Sequence, residues 1–141
     1  MKILAIILLV VCAIVYACND SVKVSQVVSV YDGDTIRVTI PNWPRLIGEN
    51  IPVRIARIDT PELRGACEQE KDMALHAKHF TIAALSTARH IELTHLERDK
   101  YFRIVAEVYY DGKNLADDLL AAKLALPYDG GTKADWCTNE L

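Results

Sequence analysis

The chain opens on Met1-Lys2 followed by an unbroken apolar run of 15 residues, Ile3 to Ala17, and only then turns to mixed polarity. Residues 22–31 are rich in β-branched side chains and partly alternate, Asp32-Gly33 supplies turn chemistry, and residues 35–40 resume the alternation. This predicts a hairpin whose second strand puts Ile36, Val38 and Ile40 on one face and Thr35, Arg37 and Thr39 on the other. By the same parity Asp34 falls on the apolar face. Pro41, Pro44, Gly48 and Asn50 then break both periodicities and predict an exposed loop over residues 41–50, before a third strand over residues 51–58. Met73, Ala77, Phe80, Ala84 and Ala88 recur at three- and four-residue steps and predict a long amphipathic helix within residues 68–89. Two further strands are expected at residues 91–96 and 103–110. Asp111-Gly112 turns the chain into a second helix around residues 114–123, and the tail from Pro127 is turn-rich. Five short strands with a long helix after the third suit an α+β fold, a five-stranded barrel of the oligonucleotide- and oligosaccharide-binding (OB) type packed with about three helices.

The N-terminal run has the charged start and apolar stretch of a secretory signal, and its length is marginal for a membrane span. Residues 1–18 are therefore expected to be a signal peptide, a lipoprotein signal or an uncleaved anchor, and residues 19–141 the single folded domain. The expected location is secreted or periplasmic, with any membrane attachment confined to that first segment. Val15-Tyr16-Ala17-Cys18 resembles a lipobox, which would place a lipid on Cys18. Cys12 lies inside the signal, leaving Cys67 and Cys137 in the domain, and two cysteines in an oxidising compartment suggest one disulfide. Without the signal, fifteen basic residues face nineteen acidic ones. Such a domain is no general polycation, so any polyanion must be held by a local metal and a few placed arginines.

The oxygen donors concentrate in two clusters at strand ends, Asp32-Gly33-Asp34-Thr35 and Asp59-Thr60-Pro61-Glu62. An acid on an inward face must reach the barrel rim or find a cation, because a lone buried carboxylate is costly. Calcium accepts carboxylate, carbonyl and water oxygens, and Asp34, Asp59 and the Thr60 carbonyl are candidate ligands. Taken alone, Asp32-Gly33-Asp34 is also an ordinary acidic turn. Arg54 and Arg103 are candidate phosphate partners, since a guanidinium forks onto two phosphate oxygens, though such an arginine taken alone is more often an exposed salt-bridge residue. Glu62 is placed to orient or deprotonate an attacking water. Arg54 is expected to share its strand face with Ala56 and Ile58. The histidines form no metal-ligand pattern.

Together these residues resemble the staphylococcal nuclease (thermonuclease) family over nearly the whole of the chain beyond the signal. The family's Asp-Gly-Asp-Thr turn, its arginine five residues before Asp-Thr-Pro-Glu and its Asp-Lys-Tyr-Gly-Arg stretch correspond to Asp32 to Thr35, Arg54, Asp59 to Glu62, and Asp99-Lys100-Tyr101-Phe102-Arg103. The resemblance implies the OB barrel and calcium held by Asp34, Asp59 and the Thr60 carbonyl, with Asp32 behind them. It also implies Glu62 as general base, Arg54 and Arg103 on the phosphate, and cleavage of DNA or RNA with little sequence preference by a monomer, leaving 3′-phosphates. The departure is Phe102, where the family has glycine. A positive φ there would strain an aromatic residue and unsettle Arg103, while an exposed ring would offer a base-stacking surface. Lys100 and Tyr128 are further candidate substrate contacts. The rival expectation is a noncatalytic barrel of the same type that binds single strands without cutting them.

Overall fold

The computed structural model describes residues 21–138, so the expectations for residues 1–18, including Cys18, lie outside the described residues. Its elements run β1 (Val22–Lys23), β2 (Gln26–Val30), β3 (Thr35–Thr39), α1 (Arg45–Gly48), β4 (Ile51–Ile55), β5 (Ile58–Asp59), α2 (Glu68–Ser86), β6 (Ile91–Arg98), β7 (Ile104–Tyr110), β8 (Lys113–Asn114), α3 (Leu115–Ala121) and β9 (Leu126–Pro127). The main sheet has the order β1-β6-β7-β4-β3-β2, with β8 attached to β7. Only residues 24–25 separate β1 from β2, yet these strands occupy opposite edges. The sheet must therefore curl until one stretch of chain serves both, giving the α+β, OB-like half-barrel with three helices among the described residues. β4 and β7 pair in parallel, the crossover between them carrying α2 and β6.

Period-two alternation fills the interior as the sequence predicts. Ile36 and Val38 on β3 are fully buried, as are Val53 on β4, Ala106 and Val108 on β7, and Leu93 on β6, with Leu115 and Leu119 of α3 closing one end. Each such valine, leucine or isoleucine contributes about 1.5–3 kcal/mol through loss of water contact. The Asn114 side chain accepts from the amides of Ala116 and Asp117 and starts α3 in that position.

Four local expectations are corrected. Residues 22–31 form two strands rather than one, because the Val24 amide bonds to Ile91 and the Ser25 amide to Thr39, handing the chain from one sheet edge to the other. The loop over residues 41–50 contains a helical turn, α1. The third strand stops at Ile55: Arg57 turns at φ 69, and Ile58–Asp59 leave the sheet to pair with β9. Arg54 thus shares no continuous strand face with Ile58. The long helix buries Glu70, Ala74, Ala77, Thr81 and Leu85, so of the expected stripe only Ala77 is fully buried, with Met73, Phe80 and Ala84 half-buried beside it. The helix ends short of Ala88 at Ser86, where the hydroxyls of Ser86 and Thr87 bond to the Ala83 carbonyl. The small residues on its buried face let it lie close to the Asp32-to-Thr35 turn. A β-carbon on Gly33 would stand 2.7 Å from Ala77 Cβ, and Thr81 Oγ1 donates to the Gly33 carbonyl at 2.8 Å.

Candidate active site

The two acidic clusters meet because β3 begins where β5 departs. The Asp32 side chain accepts from the Asp34 amide at 3.2 Å, an Asx turn that aims Asp34 inward. Asp34 is 2% exposed, and its Oδ2 accepts from the Thr60 amide at 2.9 Å, clamping the start of β3 to the end of β5. Thr35 Oγ1 donates to Asp34 Oδ1 at 3.0 Å.

Arg54 projects from β4 between the two buried acids. Its Nη1 is ion-paired with Asp34, while its Nη2 reaches Asp59 Oδ1 and the Ile58 carbonyl, both at 3.2 Å. On the other side its guanidinium lies 5.9 Å from the centre of the Tyr128 ring. Burial works against this charge, but Asp34 and Asp59 outweigh it and hold the guanidinium more firmly protonated than a free arginine. Asp32 behaves oppositely: burial, reinforced by the neighbouring charge of Asp34, pushes its carboxyl up to about 6.

Glu62 follows the buried Pro61 and has a half-exposed carboxylate. Lys133, from the tail, donates to Glu62 Oε1 at 2.6 Å and to Asp59 Oδ1 at 3.1 Å. From below, Glu70 of α2 accepts from the Glu62 amide at 3.3 Å and from the Ala66 amide at 2.8 Å, so a buried carboxylate shapes the loop that carries Glu62. Gly65 leaves room for that carboxylate, since a β-carbon would stand 2.3 Å from Glu70 Cδ and force the buried side chain to shift. Cys67 and Cys137 are joined as a disulfide with Cα atoms 5.9 Å apart, and this fastens the tail beside the same loop.

Across the cleft the turn between β6 and β7 presents Arg103. Asp99 accepts from the amides of Tyr101 and Arg103 at 2.8 and 3.0 Å and from Arg103 Nε at 2.7 Å. Phe102 adopts φ 63, the conformation that glycine would take without strain, and its ring is 79% exposed. Arg103 nevertheless lines the same cleft as Asp34, Arg54 and Glu62, as do Lys100, Tyr101 and Tyr128, whereas Phe102 does not.

The structure therefore gathers Asp32, Asp34, Arg54, Thr60, Glu62 and Arg103 around one open cleft floored by Asp59, and leaves Cys67 and Cys137 at its flank. The pattern along the chain gave no hint of Lys133 or Glu70. Lys133 lies in an aperiodic tail, and its proximity follows from the β5–β9 pairing before it and the Cys67–Cys137 bond four residues on.

The donor set suits a hard divalent cation. Asp34, Asp59 and Thr60 offer oxygens only, and Thr60 Oγ1 is buried with no hydrogen-bond partner. Arg54 now bridges the two carboxylates that would hold such an ion. Among the described residues, the close grouping of metal-ligating side chain types is Cys67, Glu70 and Cys137, but the two sulfurs are taken up in the disulfide and are no thiolate ligands.

Comparison with known proteins agrees with this geometry. Residues 52–137 match the model of the family described as staphylococcal nuclease homologue. An uncharacterized endonuclease of Haemophilus influenzae is 28% identical over 127 residues, covering 90% of this chain and 65% of that protein. A probable endonuclease of Phaeosphaeria nodorum is 31% identical over 107 residues, covering 72% of this chain and 36% of its own length. One from Schizosaccharomyces pombe is 31% identical over 127 residues, covering 74% and 55%. The chain thus spans between about a third and two thirds of the length of these relatives. With its fold, its paired acidic clusters and more than half of its residues matched, the chain belongs to the staphylococcal nuclease homologue family.

Proposed function

We propose that the protein is an exported, calcium-dependent nuclease that hydrolyses phosphodiester bonds of DNA or RNA with little sequence preference. The observation that carries this reading is the convergence of Asp34, Arg54, Glu62 and Arg103 on one cleft. Bound calcium would be held by Asp34, Asp59 and the Thr60 carbonyl and would supply Lewis-acid polarisation of the phosphate. Arg54 and Arg103 place two permanent cations where a five-coordinate phosphorus gathers negative charge, the situation in which fixed charges accelerate a reaction most. Arg54 is held straight by its carboxylate partners and Tyr128, and Arg103 by Asp99. Glu62, half in water, is placed to take a proton from an attacking water. Lys100 and Tyr128 border the same cleft as substrate contacts.

Export rests on the Met1-Lys2 start and the apolar run behind it. The Cys67–Cys137 bond suits an oxidising compartment. Mass measurement of the mature N-terminus separates cleavage, lipid attachment to Cys18 and retention as an anchor.

The deciding test is degradation of single-stranded DNA by the purified protein in calcium and in chelator, alongside Glu62→Gln and Arg54→Ala. Calcium-dependent cutting is expected in the parent, with a loss of at least about a hundredfold in each variant. Because Arg54 already neutralises Asp34 and Asp59, the alternative is a noncatalytic barrel that binds single strands. Binding without cutting in any divalent metal selects that alternative.

A further inference from the structure

The tail beyond β9 is exposed from Asp129 to Asp135 and has no regular structure, yet it is fixed at two points. Lys133 reaches into the cleft to Glu62 and Asp59. Three residues later Trp136 is 3% exposed, and its carbonyl accepts from Gln69 Nε2 at 3.4 Å. Cys137 then closes onto Cys67, the residue that precedes α2, with its Sγ 3.8 Å from Glu70 Oε2. Glu70 is the carboxylate that holds the amides of Glu62 and Ala66. The loop bearing Glu62 is therefore gripped from the helix side by Glu70 and from the tail side by Lys133, and both grips converge on the Cys67–Cys137 bond.

We infer that Lys133 is a positioning residue of the nuclease site, delivered there by the Cys67–Cys137 bond, and that it acts by fixing the Glu62 carboxylate against Asp59. This rests on the nuclease reading and adds to it a third cation and a tether. The electrostatics are favourable: an ammonium at 2.6 Å from Glu62 keeps that carboxylate in one rotamer beside Asp59, where a half-exposed glutamate would otherwise sample several. A lysine between two carboxylates also offsets the repulsion that would drive Glu62 away from Asp59. Seven consecutive exposed residues would not hold that lysine in place without an anchor at their far end.

The full-length protein is assayed for single-stranded DNA cleavage in calcium as the parent, Lys133→Met, Lys133→Arg, Cys67→Ser/Cys137→Ser and Glu62→Gln, with amide hydrogen exchange recorded on each. Lys133→Met is expected to lower kcat about tenfold or more with little change in KM, and Lys133→Arg to recover most of the loss. Its exchange should quicken at residues 62–66 while the β3, β4 and β7 amides keep their protection. The cysteine pair variant should show the same drop in kcat, with faster exchange at both 62–66 and 129–135. Combining it with Lys133→Met should add little, because both act through one contact. Should the cysteine variant fail to fold, the two Lys133 variants still decide. Full activity and unchanged exchange in Lys133→Met overturn the inference while the Glu62→Gln loss leaves the nuclease reading intact. A rise in KM at constant kcat also overturns it, making Lys133 a substrate contact. A parent that cuts nothing in any divalent metal removes the nuclease reading itself, and the inference with it.

Discussion

Phe102 holds φ 63, where the β-carbon of an L-residue costs about 1–2 kcal/mol, and the turn tolerates it because both of its backbone polar groups are used. Its amide donates to the Asp99 carbonyl at 3.0 Å, and its own carbonyl accepts from Arg98 Nη1 at 2.9 Å. Phe102→Gly is therefore expected to raise stability by about 1 kcal/mol in denaturant titration, with Arg103 unmoved. If the exposed ring also stacks on bases, the same variant weakens single-strand affinity in a chelator. An unchanged affinity removes that role. Asp99 governs the same turn. Burial pushes its carboxyl upward, but hydrogen bonds from the Arg103 side chain and amide and from the Tyr101 amide outweigh burial and hold it below 3.8. Between its folded value and 3.8 the unfolded chain binds more protons than the native one. The stabilisation is thus complete above 3.8 and disappears as pH falls through the folded value. NMR titration should find the Asp99 midpoint below 3.8, with the Tyr101 and Arg103 amide signals shifting at the same midpoint. A midpoint at or above 3.8 would contradict the role given to Arg103 in the turn.

At the scale of elements, the site depends on how closely α2 approaches the turn before β3. Gly33 permits that approach, since a methyl group there would meet Ala77 Cβ, which cannot turn away from the helix backbone, at 2.7 Å and the buried Thr60 Cγ2 at 2.8 Å. Gly33→Ala is expected to cost about 1–3 kcal/mol and to reduce cleavage out of proportion to stability, because it pushes Thr60 away from Asp34. Stability lost with activity intact would mean that the Thr60 contact is incidental. Much of this architecture was legible in the chain: the parity of β3 put Asp34 inward, and Asp32 and Glu62 were recognisable from turn and proline chemistry. The parts that were not legible depend on distant partners. The buried face of α2 shares only Ala77 with the expected stripe, because alanines, a threonine and a glutamate carry little hydrophobic signal against the half-buried Met73 and Phe80 beside them. The break after Ile55 was hidden because Ala56-Arg57-Ile58 continues an acceptable strand pattern. Only the pairing of β5 with β9, and of Arg57 with Glu107 and Asp117, makes the positive φ worthwhile. Lys133 belongs to the same class, since its position has no meaning until β9 and the Cys67–Cys137 bond bring the tail beside the cleft. Glu70 gave no signal because its amide partners, those of Glu62 and Ala66, lie in an irregular loop.

For the whole molecule the governing fact is charge. The chain carries a net charge of −3, and most cations of the cleft are already engaged: Arg54 by Asp34 and Asp59, Arg57 by Glu107 and Asp117, Arg103 by Asp99, and Lys133 by Asp59 and Glu62. Arg64 and Lys100 line it with no ion pair among the described residues. A nucleic acid strand approaching without metal therefore meets a surface whose positive groups are mostly neutralised by acids of the same chain, and only two or three phosphates find a partner. Each phosphate neutralised on a single strand releases counterions worth a slope of about −0.7 in log affinity against log salt, which predicts a total slope of about −1.4 to −2.1. Fluorescence anisotropy of a labelled single strand in chelator, across a salt series, should show this shallow slope together with weak binding. If calcium binds as proposed, it should tighten binding with little change in slope, because an ion held by Asp34 and Asp59 would neutralise them and free Arg54 for the phosphate rather than add a broad cationic face. A slope of about −5 in chelator would require seven or so phosphate contacts. These would have to come from a basic surface away from the cleft, and recognition would then belong to that surface rather than to the arginines of the site.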